Sequence, residues 1–255
     1  MTLFDMTGKV AVITGSTRGI GRAIAERMAE HGAKVVISSR KADACAQVAN
    51  EINDRYGTGT AAGIPANISS KENLQHLIDE SNRAFGRIDV LVCNAASNPY
   101  YGPLGAISDE QFRKILDNNI ISNNWLISMV VPQMIARKDG SIIIVSSVGG
   151  LKGSTILGAY AISKAADMQL ARNLACEHGK HNVRVNCIAP GLIKTDFAKA
   201  LWDNPENLKA STSRSPLLRI GIPDEIAGAA VFMGSQAGNF MTGQTMVIDG
   251  GATIS

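Results

Sequence analysis

The chain has 255 residues, which at roughly 150 residues per domain leaves room for one large domain or two small ones. With 45% hydrophobic and 18% charged residues, it has ample material for a buried core and too little charge for a disordered chain. Its 25 basic and 22 acidic residues leave a formal charge of +3 and are scattered along the chain, which argues against a nucleic-acid surface or a polybasic membrane patch and points to a small soluble partner.

In chain order, residues 9–14 form an apolar run ending at glycines, and 20–31 follow with helical spacing at Ile20, Ala23, Ile24, Arg27 and Met28. That predicts strand, tight turn and helix. Further strands are predicted at 34–39, 61–66, 88–94, 141–146, 183–189 and 245–248, most of them separated by helix-length segments. Continuous Val/Ile runs mark strands buried on both faces. The fold class is therefore α/β: a single doubly wound, Rossmann-type parallel sheet of about seven strands, with helices on both faces and its ligand at the carboxyl ends of the strands. No linker, repeat or low-complexity tract divides residues 1–255, and the less regular stretch 191–215 is the expected flap over the site. Residues 118–136 lack charge, but Asn118, Asn119, Asn123, Asn124, Pro132 and Gln133 make them part of a soluble helix rather than a membrane span. Cys45, Cys93, Cys176 and Cys187 contain no C-x-x-C pair, and the first residues carry an early acid and no apolar secretory segment. A reducing, cytoplasmic setting is expected.

The first turn reads as a phosphate site. Gly15, Ser16, Thr17, Arg18, Gly19, Ile20 and Gly21 place three glycines between the first strand and its helix, where the backbone must turn sharply and approach a ligand. Free N–H groups and the positive end of the helix dipole then favour a pyrophosphate. The spacing is G-x3-G-x-G rather than G-x-G-x-x-G, so a purely structural turn is the alternative. An NAD site usually presents an acid to the ribose at the end of the second strand. Here that place holds Ser38, Ser39 and Arg40. Ser39 and Arg40, joined by Arg18, suit a 2′-phosphate, which favours NADP(H) and leaves NAD(H) possible. The bland alternative is that Arg40 and Lys41 only open a helix in solvent.

Tyr160 and Lys164 lie four apart in a segment of helical character and so share one face. A nearby ammonium stabilises a phenolate and lowers the phenol pKa, which would make Tyr160 a usable acid or base. Alone, this spacing is more often an ordinary surface pair. Its company changes the reading. Thr14-Gly15 through Gly21, Asn94-Ala95-Ala96, Asn119, Ser147, Tyr160-x3-Lys164 and Pro190-Gly191 stand in an order that resembles the short-chain dehydrogenases/reductases over nearly the whole chain. Ala96 departs from that family's Asn-Asn-Ala-Gly pattern.

The resemblance implies that Ser147 binds the substrate carbonyl, with neighbouring Ser146 as the alternative. It further implies that Tyr160 delivers the proton, that Lys164 tunes the tyrosine and holds the nicotinamide ribose, and that Asn119, rather than adjacent Asn118, positions a relay water. It places Asn67 and Ile68 at the adenine, Asn94, Ala95 and Ala96 near the dinucleotide, and Pro190, Gly191, Ile193 and Thr195 around the nicotinamide amide and phosphates. It also implies a homo-oligomer, frequently a tetramer in that family, to which the apolar carboxyl end 241–254 would contribute.

Tyr100 and Tyr101 after the fourth strand, with Phe197, Leu201 and Trp202 in the flap, would line an apolar or aromatic pocket. Equally, these rings would pack the flap onto the body. The Asn-Pro-Tyr-Tyr-Gly segment resembles the branch with animal peroxisomal NADPH-dependent carbonyl and retinal reductases, although the ending Ala-Thr-Ile-Ser lacks a peroxisomal signal. Glu177, His178 and His181 beside Gly179 read as a helix end rather than a metal site. The expected activity is reduction of a ketone or aldehyde, with 3-oxoacyl reduction or secondary-alcohol or sugar oxidation as neighbours. The rival of another class is a dinucleotide-binding sensor without turnover.

Overall fold

The apolar run after Lys9 forms β1 (Val10–Thr14), buried at every position, and its side chains divide between the two sides of the sheet. In the computed structural model, which describes residues 2–213 and 215–255, Ala11 and Ile13 join one core and Val12 the other. The remaining strands are β2 (Lys34–Ser38), β3 (Ala61–Gly63), β4 (Val90–Cys93), β5 (Gly140–Val145), β6 (Val183–Pro190) and β7 (Thr245–Ile248). All pair in parallel in the order β3-β2-β1-β4-β5-β6-β7. The chain winds outward from β1 to β3 and then returns to lay β4 beside β1. That reversal opens a crevice at the carboxyl ends of β1 and β4, where doubly wound sheets hold their ligands.

One core packs α1 (Gly19–Glu30), α2 (Ala42–Tyr56) and α9 (Pro223–Gly234) on the sheet; the other packs α3 (Lys71–Phe85), α5 (Ser122–Arg137) and α6 (Gly158–His178). Between α3 and α5 comes α4 (Asp109–Leu116), whose Ser108 and Gln111 form a capping box. The third strand is shorter than the expected 61–66. Ile64 and Ala66 still donate to Ile37 O and Ser39 O, both at 2.9 Å, so the chain keeps its path and only the regular ladder stops.

Two expectations change more. The expected soluble helix over 118–136 forms as α5, but it is preceded by a π-helical turn, Asp117–Ile121. The extra residue in that turn places Asn118 and Asn119 side by side in buried positions. The stretch 191–215 is more regular than expected, with a 3-10 turn (Asp196–Ala198), α7 (Lys199–Trp202) and α8 (Pro205–Thr212). Thr195 caps the first of these by accepting from Ala198 N–H at 3.3 Å, and Asn204 Oδ1 accepts from Glu206 N–H at 2.8 Å. Arg214 lies outside the described residues. No helix among the described residues is long and apolar enough to cross a membrane.

Candidate active site

The glycine turn between β1 and α1 is shaped for close approach. Gly15 and Gly19 hold φ of +65° and +57°, a region that L side chains rarely enter. A Cβ on Gly21 would stand 2.4 Å from Gly15 O and 2.5 Å from Asn94 Nδ2. Asn94 is a strut of this turn: its Nδ2 donates to Thr14 O (2.9 Å) and Gly15 O (3.2 Å), while Asn94 N–H and Ala95 N–H both donate to Thr14 Oγ1. Ser16 is also internal, donating through Oγ to Ile13 O at 2.7 Å and accepting from Ser38 N–H at 2.9 Å. Asn94 and Ser16, both expected among the cofactor contacts, therefore spend their side chains on the cradle itself. The start of α1 is left open: Arg18, its N-cap, makes no side-chain capping bond, and the first turn has no acid. Unspent N–H groups at a dipole's positive end fit the pyrophosphate of a nicotinamide dinucleotide.

Over this turn lies the segment after β6. Thr195 Cγ2 is 3.3 Å from where a Gly19 Cβ would stand, and a Gly191 Cβ would meet Asp249 Cα at 2.7 Å. Pro190 and Ile193 are buried beneath. The sequence-distant groups Gly19 and Thr195 are thus brought together at one groove. Its adenosine end is open. Arg40 is exposed and makes no ion pair with any described residue, whereas Arg18 reaches Asp196 Oδ2 at 3.2 Å. Ser39 Oγ lies 3.3 Å from Cys45 Sγ. Asn67 is exposed, accepting from Ser69 N–H at 3.2 Å, and Ile68 packs against the core.

At the other end, Ser147 follows β5 and Tyr160 and Lys164 share a face of α6. The neighbouring serines separate cleanly. Ser146 is buried and donates to Lys164 O at 2.7 Å, while half-buried Ser147 accepts from Gly149 N–H at 3.0 Å and faces the Tyr160 hydroxyl. Lys164, 2% exposed, donates to Val145 O and Asp167 Oδ2, both at 2.9 Å, with its Nζ 5.7 Å from the Tyr160 ring centroid. Burial pushes the Tyr160 phenol above its ordinary range; Lys164 and Ser147 pull it back, and Asp167 and Tyr101 add to the rise. The lysine acts in the expected direction, but burial outweighs it in this structure. For Lys164, burial opposes the charged form, yet Asp167 and Tyr160 hold the ammonium above its ordinary range.

Asn119 clamps the loop after β4, accepting from Ser97 N–H at 2.8 Å and donating to Ser97 O at 3.1 Å and Ser163 Oγ at 3.0 Å. Asn118 instead bridges Ser97 Oγ and Ser69 Oγ. On the open side, the Phe197 ring lies 6.1 Å from that of Tyr160, tilted by 43°. Tyr101 is exposed. Tyr100 turns back on its own loop, donating to Pro103 O at 3.0 Å. Trp202 pins the segment after β6 to itself through Thr195 O at 3.0 Å and lies under Lys194 Nζ, 5.8 Å from its centroid; Leu201 beside it is half-buried. Phe197 and Tyr101 thus face Tyr160, whereas Tyr100 and Trp202 stiffen the segments that carry them.

Sequence reasoning missed Asp167 and Asn123. Asp167 shares the helix face of Tyr160 and Lys164, seven residues from one and three from the other, a spacing that in sequence is indistinguishable from an exposed helical ion pair.

The comparisons with known proteins agree with this geometry. The family model described as enoyl-(acyl carrier protein) reductase matches residues 15–253. Dehydrogenase/reductase SDR family member 4 of Oryctolagus cuniculus is 41% identical over 248 residues, covering 97% of this chain and 94% of that protein. A gluconate 5-dehydrogenase from Burkholderia cenocepacia, solved with NADP and tartrate, superposes with a TM-score of 0.94 at 32% identity, covering 99% of this chain and 98% of that one. A 7α-hydroxysteroid dehydrogenase solved with NADH and 7-oxo glycochenodeoxycholic acid gives 0.92 at 35% identity, covering 98% and 96%. The chain belongs to the short-chain dehydrogenase/reductase family of oxidoreductases.

Proposed function

We propose that this protein is an NADP(H)-dependent carbonyl reductase acting on an apolar or aromatic ketone or aldehyde. The observation that carries the reading is the Tyr160 phenol, held between the buried Lys164 ammonium and Ser147, with Phe197 against its ring. A bound nicotinamide dinucleotide supplies the hydride, and Gly15 to Gly21, Ala95, Ala96 and Thr195 border its place. Ser147 donates a hydrogen bond to the carbonyl oxygen and to the negative charge that grows there. Tyr160 gives that oxygen its proton, a role that suits a phenol whose surroundings hold the proton on at neutral pH. Lys164 faces the phenolate that remains. Asn119 fixes the Ser97 loop beside α6 and would hold a relay water.

Arg40, with no acidic neighbour paired to it, favours the 2′-phosphate of NADP(H) over NAD(H), and Phe197 with Tyr101 favours an apolar substituent over a free sugar. Fully exposed Phe240 and Ile254, with Val247 half-exposed near them in sequence, suit a homo-oligomer, a tetramer by the family resemblance. The cytoplasm suits the four unpaired cysteines.

Purified protein supplied with NADPH and NADH in parallel, and with aromatic, aliphatic, sugar and 3-oxoacyl carbonyls, tests this reading through nicotinamide absorbance. NADPH-preferring turnover of aromatic or aliphatic carbonyls is expected. Turnover confined to 3-oxoacyl or sugar compounds would overturn the substrate class, and tight NADPH binding without any turnover would favour a sensor.

A further inference from the structure

Asp167 is fully buried, yet no step above uses it. Its Oδ2 accepts from Lys164 Nζ at 2.9 Å and its Oδ1 from Asn123 Nδ2 at 3.1 Å, and the same Asn123 Nδ2 donates to Asn119 O at 2.6 Å. One connected set of bonds therefore runs from the π-helical turn through α5 to the face of α6 that carries Tyr160. A purely stabilising role explains this poorly, because a buried ion pair costs about as much in desolvation as it returns, and apolar replacements are often neutral or better.

We propose that Asp167 is a positioning residue for proton transfer: braced by Asn123, it anchors the Lys164 ammonium beneath Tyr160 and keeps on the phenol the proton that carbonyl reduction consumes. The proposal rests on the reading of Tyr160 as the proton donor. Burial pushes the Asp167 carboxyl above its ordinary range, while the Lys164 ammonium and the bond from Asn123 favour its charged form; the groups that face it come from four elements. On its own helix these are Lys164 and Tyr160; β4 contributes Cys93, β6 contributes Cys187, and α5 contributes the neutral Asn123. Cys187 Sγ–H donates to Asp167 O at 3.4 Å. Burial pushes the Cys187 thiol up to about 12 and raises Cys93 as well, so both stay neutral. Arg172 acts on Cys187, and Tyr101 acts on Tyr160 from the open side. Removing the negative charge disfavours the protonated, positive form of the Tyr160–Lys164 pair, so its first proton leaves at lower pH.

Asp167→Asn tests this in the full chain by two readouts. The alkaline limb of kcat, for whichever carbonyl the wild type reduces, should move to lower pH by about one pH unit, with the carbonyl KM little changed. The phenolate absorbance of Tyr160, isolated by subtracting a Tyr160→Phe titration, should move the same way without any turnover. A merely structural role would lower the melting temperature and move neither. The swapped variant Asn123→Asp/Asp167→Asn keeps one buried carboxylate and a donor–acceptor match between 123 and 167, at the cost of the donor to Asn119 O, and it decides the question if the single variant does not fold: a limb displaced to lower pH by less than a full unit supports the proposal. A folded variant with a wild-type limb and wild-type phenolate titration overturns it. A wild type that reduces no carbonyl defeats the reductase reading and leaves the phenolate titration still able to judge Asp167.

Discussion

At the catalytic end of the groove the charges are buried and paired, with Lys164 and Asp167 at 2% and 0% side-chain exposure and 2.9 Å apart, whereas at the adenosine end Arg18 and Asp196 are 73% and 67% exposed and 3.2 Å apart. The first pair sits in a low dielectric and cannot relax toward water; the second is screened by it. Proton transfer requires a group fixed before the substrate arrives, and in the proposed mechanism the buried network from Asn119 to Tyr160 is what fixes it. In the proposed reading, cofactor discrimination needs only that the right charges meet a phosphate at the surface, and Arg40 is exposed there. Substitutions should therefore act steeply at one end and gently at the other.

The steepest is Tyr160→Phe, which removes the proposed proton donor and leaves the ring against Phe197. Turnover should fall by about 10²- to 10⁴-fold with NADPH binding nearly unchanged, as single-turnover kinetics and a binding titration can separate. A variant within tenfold of wild type would erase the contrast by showing that the buried end does not do the chemistry. At the open end, Ser39→Asp with Arg40→Ala should lower the ratio of kcat/KM for NADPH over NADH by about 100-fold, the loss of a charge-assisted contact plus repulsion of the 2′-phosphate. Parallel kinetics with both cofactors measure it, and an unmoved ratio would remove Arg40 from cofactor choice.

How much of this was legible in the sequence follows the same division between local and long-range causes. The strand runs and the glycine turn depend on neighbours a few residues away, so pattern placed them, whereas the Tyr160–Lys164 spacing is an ordinary helical pair until it is read beside the other motifs of the family resemblance. Asp167 stands three residues from Lys164, which in sequence looks like any exposed helical ion pair; only the packing of α6 on β5 and α5 buries both partners. The π-helical turn gives no spacing signal, because its extra residue is absorbed by Asn118 and Asn119 finding partners at Ser69, Ser97 and Ser163. Ser146 and Ser147 are adjacent, and strand alternation sends one toward Lys164 O and leaves the other at the groove. The helices of 191–215 are short and depend on caps at Thr195 and Asn204 more than on apolar periodicity. Asp196 lies 178 residues from Arg18, beyond the reach of any local rule.

That last pair gives the gentlest prediction. Arg18 is expected to help bind the 2′-phosphate, and it also pairs with Asp196 Oδ2 at 3.2 Å. If the two anions compete for one guanidinium, Asp196→Ala should lower the KM for NADPH by roughly two- to fivefold, the size of an exposed ion pair, and leave the KM for NADH unchanged. The effect should shrink as salt is raised, because both side chains are in water. An equal change with both cofactors would mean that the pair closes the segment after β6 over the whole dinucleotide and has no part in choosing between them. The open end would then hold its ligand by closure, and discrimination would rest on Ser39 and Arg40 alone.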